Sequence, residues 1–185
     1  MVAVNLEEYR EWLKENGNLE EAKAPEVIEK VVKRHLSKLN WKSYKIDISP
    51  RKVFKVDGKH YECDATVKLT WQAWDNKTRS MMIGIEFKEW DFSKVVSQAV
   101  HRKRFFDYMY IATRPVTLSL SWNPYDFALL IKHGIGWVLW SEDFVYILLP
   151  AKKKGWERAE EMAERIERLM NTPLQEPKTI MDYVR

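Results

Sequence analysis

The sequence predicts an α/β domain in which helices cover a mixed β-sheet, and three observations lead there. Asp57-Gly58 and Asp75-Asn76-Lys77 are turn signals that separate three strand-like runs, the pattern of an antiparallel meander. The third run, residues 81–88, is followed by a helical pattern and then by a fourth apolar strand, the order of a parallel strand–helix–strand unit. Amphipathic stretches before the meander and after the fourth strand supply the layers that bury the faces of the sheet.

In chain order, Asn5 followed by Glu8 reads as a capping box that opens a helix over 5–16, and Asn16-Gly17 closes it. A second helix is expected over 25–39. Pro25 suits its first turn, and Val27, Ile28, Val31, Val32, His35, Leu36 and Leu39 form a broad apolar stripe. At about 100° per residue, Glu29 lies beside that stripe and Glu26 nearly opposite it, so Glu29 looks inward and Glu26 meets solvent. Residues 43–48 and 52–56 form two short strands or one bent strand, interrupted at Pro50. After Asp57-Gly58, Tyr61, Cys63, Ala65, Val67 and Leu69 point one way, and Glu62, Asp64, Thr66 and Lys68 the other. In residues 81–88, Met81, Ile83, Ile85 and Phe87 share one face, and Met82, Gly84, Glu86 and Lys88 share the opposite one.

Asp91 or Ser93 caps a helix that runs to about residue 106. Residues 108–112 make a strand and 122–133 a helix with Gly134 as its C-cap, followed by strands over 135–140 and 144–149. A last helix over 155–170 carries Trp156, Ala159, Ala163, Ile166 and Met170 on one side. No repeat or linker divides the chain, so a single domain is expected. Its core spans about 24–150, and the helices over 5–16 and 155–170 are additions to it.

At 185 residues, 45% hydrophobic and 31% charged, the composition is that of an ordinary globular protein. A net charge of +4 and a pI near 9.0 permit a polyanionic partner without requiring one. The single cysteine, Cys63, excludes an internal disulfide and any Cys-based zinc or iron–sulfur site. An acidic, helix-like start and the lack of a long apolar run point to a cytoplasmic setting without a membrane span. The abundance of Lys and Glu is the composition of thermophile proteins.

Glu86 and Lys88 emerge side by side at the end of a strand apolar enough to be central, with Asp64 on the neighbouring strand. Context carries this signal, because Glu21-Ala22-Lys23 has the same Glu-x-Lys spacing in a polar segment with no strand around it. An acid on one strand followed by Glu86-Phe87-Lys88 on the next resembles the PD-(D/E)xK nuclease superfamily, the restriction-endonuclease-like fold. The resemblance covers roughly residues 26–140 and includes the helix acid Glu29 and the later Gln98. Residues 98–113, followed by His133-Gly134-Ile135-Gly136, look like the archaeal nuclease and Holliday-junction-resolvase branch. One departure is Cys63, which stands before Asp64 in place of Pro.

That resemblance implies a Mg²⁺-dependent deoxyribonuclease in which Mn²⁺ substitutes for Mg²⁺. Asp64 and Glu86 would hold the metal, with the backbone carbonyl of Phe87 as a third ligand. Lys88 would orient or deprotonate the attacking water, or offset charge on the phosphate. Glu29 would take a second metal or a metal water, and Gln98 would touch the water or the backbone near the cut. The basic run His101, Arg102, Lys103 and Arg104, with Lys94 earlier on the same helix, would grip flanking phosphates. The ordinary meaning of such a run is a solvated helix face. Nothing in the sequence separates DNA from RNA, and a homodimer is compatible with it. Trp71 and Trp74 flank a hairpin tip, where they either stack on bases or cap the core. Trp137 and Trp140 read as core or interface residues, and His35 as a core histidine. The leading expectation is a metal-dependent endonuclease. A binding module that keeps the fold without cutting and a dimeric DNA-junction resolvase are the alternatives.

Overall fold

The computed structural model describes residues 3–115 and 123–156. The chain divides into two compact units, Met1–Lys154 and Gly155–Arg185. Nearly all described residues belong to the first, and the helix expected over 155–170 falls, from 157 onward, outside them.

Helix α1 (Leu6–Asn16) opens with the expected capping box: Asn5 accepts from the amides of Glu7 and Glu8, and Glu8 accepts from the Asn5 amide. A 3₁₀ turn, Leu19–Glu21, leads into α2 (Ala24–Leu36), which ends one turn sooner than its apolar stripe predicts. Strand β1 (Trp41–Val56) runs unbroken through Pro50, and β2 (Lys59–Ala73) and β3 (Thr78–Lys88) complete the meander. Asp57 and Gly58 both take positive φ (49° and 72°), as a two-residue hairpin demands, and Asn76 at φ 62° closes the second turn. Asp91, rather than Ser93, caps α3 (Phe92–Arg102) by accepting from the Lys94 amide; Ser93 bonds Asp126 instead. Strand β4 (Tyr108–Thr113), helix α4 (Pro124–His133), β5 (Gly136–Trp140) and β6 (Val145–Leu149) follow. Gly134 supplies the left-handed cap of α4 at φ 59°.

The six strands lie in sequence order. β1, β2 and β3 are antiparallel, β3, β4 and β5 parallel, and β5 and β6 antiparallel, which makes the sheet mixed. One face packs on α1 and α2 through Tyr9, Val27, Ile28 and Val31 against Val67, Ile83 and Ile85. The other packs on α3 and α4 through Val95, Val96, Ala99 and Leu130 against Ile111 and Trp137. Trp137, Trp140 and Trp71 are buried. His35 sits beneath Tyr110, whose hydroxyl lies 3.1 Å from Nε2. Trp74 is exposed, with Lys42 over its ring.

Two details correct the strand pattern expected from alternation. Ala65, Val67 and Leu69 do share a face, but Cys63 packs in the opposite cluster with Phe92 and Phe106. The ribbon turns over where Arg51 adopts φ 45°, and Phe54 beyond it stacks on Phe105. The space left by Gly84 is filled: a Cβ there would come within 2.6 Å of the Phe106 ring and 2.7 Å of Met109 Sδ. Glycine at this position lets Phe106, between α3 and β4, and Met109 of β4 close on the sheet beside Glu86. Among the described residues no helix is long and apolar enough to cross a membrane.

Candidate active site

The site forms where β2 and β3 part. Their ladder ends at Ala65↔Ile85. One residue further, the Asp64 carboxylate replaces a strand partner, and its Oδ2 accepts the Phe87 amide at 2.8 Å. That bond engages one of its two oxygens. Burial raises the Asp64 carboxyl above its ordinary value, as does the nearby Glu21; the Phe87 amide, Arg102 and Lys88 oppose the rise.

Glu86 is fully buried at the heart of the sheet. It is pushed well above the usual carboxylate range, first by burial and then by the Asp64 charge. Its Oε2 is paired with Arg102, and its buried Oε1 has no hydrogen-bond partner among the described residues. Cys63 and Asp64 lie near enough to shift its titration without making a bond of ordinary geometry to that oxygen. A buried carboxylate oxygen left unpaired is costly unless something binds it. Two adjacent carboxyls raised by burial, one of them with an orphaned oxygen, could supply oxygen donors to a hard cation.

Lys88, two residues on, pairs with Glu20 from the 3₁₀ turn before α2, and its charge still reaches Asp64. The adjacent Glu21 is 2% exposed and bonds Arg51 Nη2 at 3.1 Å. Arg51 also donates to the Asn16 carbonyl at 2.9 Å and lies over the Trp12 ring. These contacts hold its backbone in the left-handed region, which a residue with a Cβ adopts only under constraint. Tyr9 from α1 completes the wall. It is fully buried, and its hydroxyl has no partner among the described residues. Burial, Glu21 and Asp64 all raise its pKa.

The expected site residues thus divide. Asp64, Glu86, Phe87 and Lys88 come together. Glu29 does not join them: it stands on the outer side of α2, 2.6 Å from Lys33 and 4.0 Å from Arg10, and its Lys33 bond holds it below the usual carboxylate value. Glu26 also lies away from them, 3.9 Å from Lys23. Glu21, whose Glu-x-Lys spacing falls in a polar segment without a strand, takes the place near Asp64 instead. Its local signal is the second capping box, in which Asn18 bonds the Glu21 amide and fixes the turn that carries both acids.

Gln98 is half-buried on α3, one turn before Arg102 and on the same face. Arg102 turns inward to Glu86 rather than outward to solvent, because a fully buried carboxylate is a stronger claimant than water. His101 is exposed and bonds the Ser97 carbonyl at 2.7 Å. Arg104 is exposed and lies over Tyr61 and Phe105, and its backbone carbonyl accepts from Lys154. Lys103 is half-buried in the 3₁₀ turn, and Lys94 is exposed in the first turn of α3.

Among the described residues no three His, Cys, Asp or Glu side chains form a ready-made metal cage. Two carboxylates are nonetheless enough for Mg²⁺, which keeps several waters and completes its shell with substrate phosphate. Asp64 and Glu86 fit that requirement.

The chain matches no family model and no curated protein. Among solved structures it is similar to a protein of unknown function from Silicibacter pomeroyi, at 13% identity and a TM-score of 0.37. The match covers 83% of this chain and 96% of the other. A likeness at that score carries no argument about function.

Proposed function

We propose that this protein is a metal-dependent endonuclease of the restriction-endonuclease-like fold that hydrolyses DNA phosphodiester bonds at Asp64, Glu86 and Lys88. One observation carries the reading: a fully buried carboxyl with an orphaned oxygen and a half-buried neighbouring carboxyl stand beside a lysine at the point where two strands part. Asp64 and Glu86 would hold Mg²⁺ or Mn²⁺. A metal bound there polarises the scissile phosphate and lowers the pKa of a coordinated water. The chain's own groups do the rest. The Phe87 amide fixes the Asp64 carboxylate, and Arg102 fixes Glu86 and favours its charged form. Lys88, once released from Glu20, places a cation beside the phosphate where charge accumulates. Gln98, on the same helix face as Arg102, would contact the backbone near the cut.

A second reading has a specific observation behind it. Lys88 and Arg102 are both engaged in internal ion pairs, as in a nucleic-acid-binding module that keeps the fold without cutting. Incubating plasmid, single-stranded and four-way-junction DNA with Mg²⁺ or Mn²⁺ separates the readings, with wild type run beside Asp64→Ala and Lys88→Ala. Cutting that both substitutions abolish, with binding retained, supports the nuclease. Binding without cutting by wild type under either metal favours the module. Cutting restricted to junctions, by a dimer, points to a resolvase.

A further inference from the structure

The side of the β1–β3 meander that faces away from α1 and α2 is met by α3 along β3 and lies open at the exposed Lys45 of β1 and Lys68 of β2. Pairing across the strands sets Ser49 beside Thr66 and Gly84, and Asp47 beside Lys68 and Met82. Gly84 and Met82 are on the same side of β3 as Glu86, so this surface shares a face of the sheet with that carboxylate. Near Glu86 it is covered by Phe106 and Met109; further along it opens into a cleft of about 420 Å³ lined by Lys45, Asp47, Ser49, Lys52, Thr66 and Lys68. The left-handed turn at Arg51 brings Lys52 round into the same cleft, three residues after Ser49.

We propose that this cleft is the track along which a nucleic-acid backbone reaches Asp64 and Glu86, an inference that rests on the nuclease reading. Three features fit a phosphodiester chain. The cleft carries three lysines against one aspartate, and Asp47 is already paired with Lys45 at 2.7 Å. That leaves the exposed Lys68, and the exposed Lys52 whose ammonium lies over the Phe54 ring, to face the ligand. Thr66, at 2% exposure, has a hydroxyl with no partner among the described residues, a donor set into the floor of the cleft. The remaining lining is hydroxyl and aliphatic, with no pattern of base-reading side chains, so it suits phosphate rather than sequence. Lys68 is four residues from Asp64, roughly 13 Å along the strand, which corresponds to about four steps of a duplex axis. An apolar partner would strand these lysines without counter-charges.

The test measures binding without cleavage: fluorescence anisotropy of a labelled 20-base-pair duplex and its single strand, in EDTA, over a range of salt. Wild type is compared with Lys52→Ala/Lys68→Ala, with Thr66→Val, and with Lys30→Ala/Lys33→Ala on α2 as a control, all checked for folding by circular dichroism. The double variant in the cleft is expected to bind at least tenfold more weakly, and its slope of log K against log salt is expected to shrink by about 2. Thr66→Val should lose several-fold, and the α2 control should match wild type. Unchanged affinity and slope in the cleft variants, with wild-type binding intact, overturns the track and leaves the nuclease reading standing. No binding by wild type to duplex, single strand or an RNA of the same sequence removes both. If the lysine substitutions instead turn a wild-type dimer into a monomer without altering nucleic-acid binding, the face is a self-interface and the proposal is wrong.

Discussion

Replacing Arg102 with methionine tests the electrostatic reading of the site at its most buried point. The substitution keeps much of the aliphatic volume and removes the charge paired with Glu86, a fully buried carboxylate. Breaking a buried pair costs about 3–5 kcal/mol when the survivor stays ionised. Glu86 has an escape, because burial and Asp64 already favour its neutral form, and without Arg102 they do so unopposed. The native state then keeps a proton that the unfolded chain releases near the ordinary carboxylate value. With more protons bound in the native state, stability is fully present at low pH. It falls as pH rises, at about 1.4 kcal/mol per unit for one proton, until the raised folded pKa is passed. In wild type the decline ends sooner, since Arg102 favours the charged form. Urea denaturation of metal-free protein, followed by tryptophan fluorescence at pH 5, 6, 7 and 8, reads the difference. At pH 5, Arg102→Met should lose about 1 kcal/mol, the worth of a hydrogen bond. By pH 8 the loss should approach about 3–5 kcal/mol, and adding Glu86→Gln should remove most of the pH dependence. A loss equal at every pH, or one that Glu86→Gln leaves in place, would refute the argument.

Two further expectations concern acids and a histidine. If the site cuts DNA as proposed, Glu21→Gln should lower cleavage by about 10–100-fold as a partner behind Asp64, while Glu29→Gln should leave it within about twofold, since only Glu21 is near Asp64; the reverse result would restore Glu29 to the site. His35 is held down to about 4 by burial, with Lys38 and Arg34 adding to it, so it is neutral in the folded protein at pH 7. Its pKa is depressed on folding, so its contribution is intact above about 6.5 and is lost as pH falls towards 4. The loss amounts to about 3 kcal/mol and should show as a drop in Tm that His35→Gln flattens.

Much of the scaffold is legible in the sequence because its signals are local. Asp57-Gly58 and Asn76 set the two turns, Asn5 and Glu8 cap α1, and Gly134 ends α4; each acts through backbone dihedrals or a bond three residues away. The alternation in residues 81–88 places Glu86 opposite Ile85 and Phe87, and a strand with that pattern has one way to sit in a covered sheet. Strand alternation and the two turns therefore suffice to make Asp64, Glu86 and Lys88 neighbours. They do not say which distant residues join them. A helical wheel puts Glu29 inward, yet the side of α2 that meets the sheet is set by Val27, Ile28 and Val31, and Glu29 is left to Lys33. Arg102 lies in a basic run that reads as surface, and it turns inward only because Glu86 is buried beneath it. The turn-over at Arg51 depends on Asn16, Glu21 and Trp12, which are thirty or more residues away, so no local pattern announces it. Local signals in the chain set the main described strands and helices, their order and the carboxylate–lysine strand. Tertiary packing decided which charges face one another, because a charge chooses its partner by burial and distance, and neither is a property of sequence spacing.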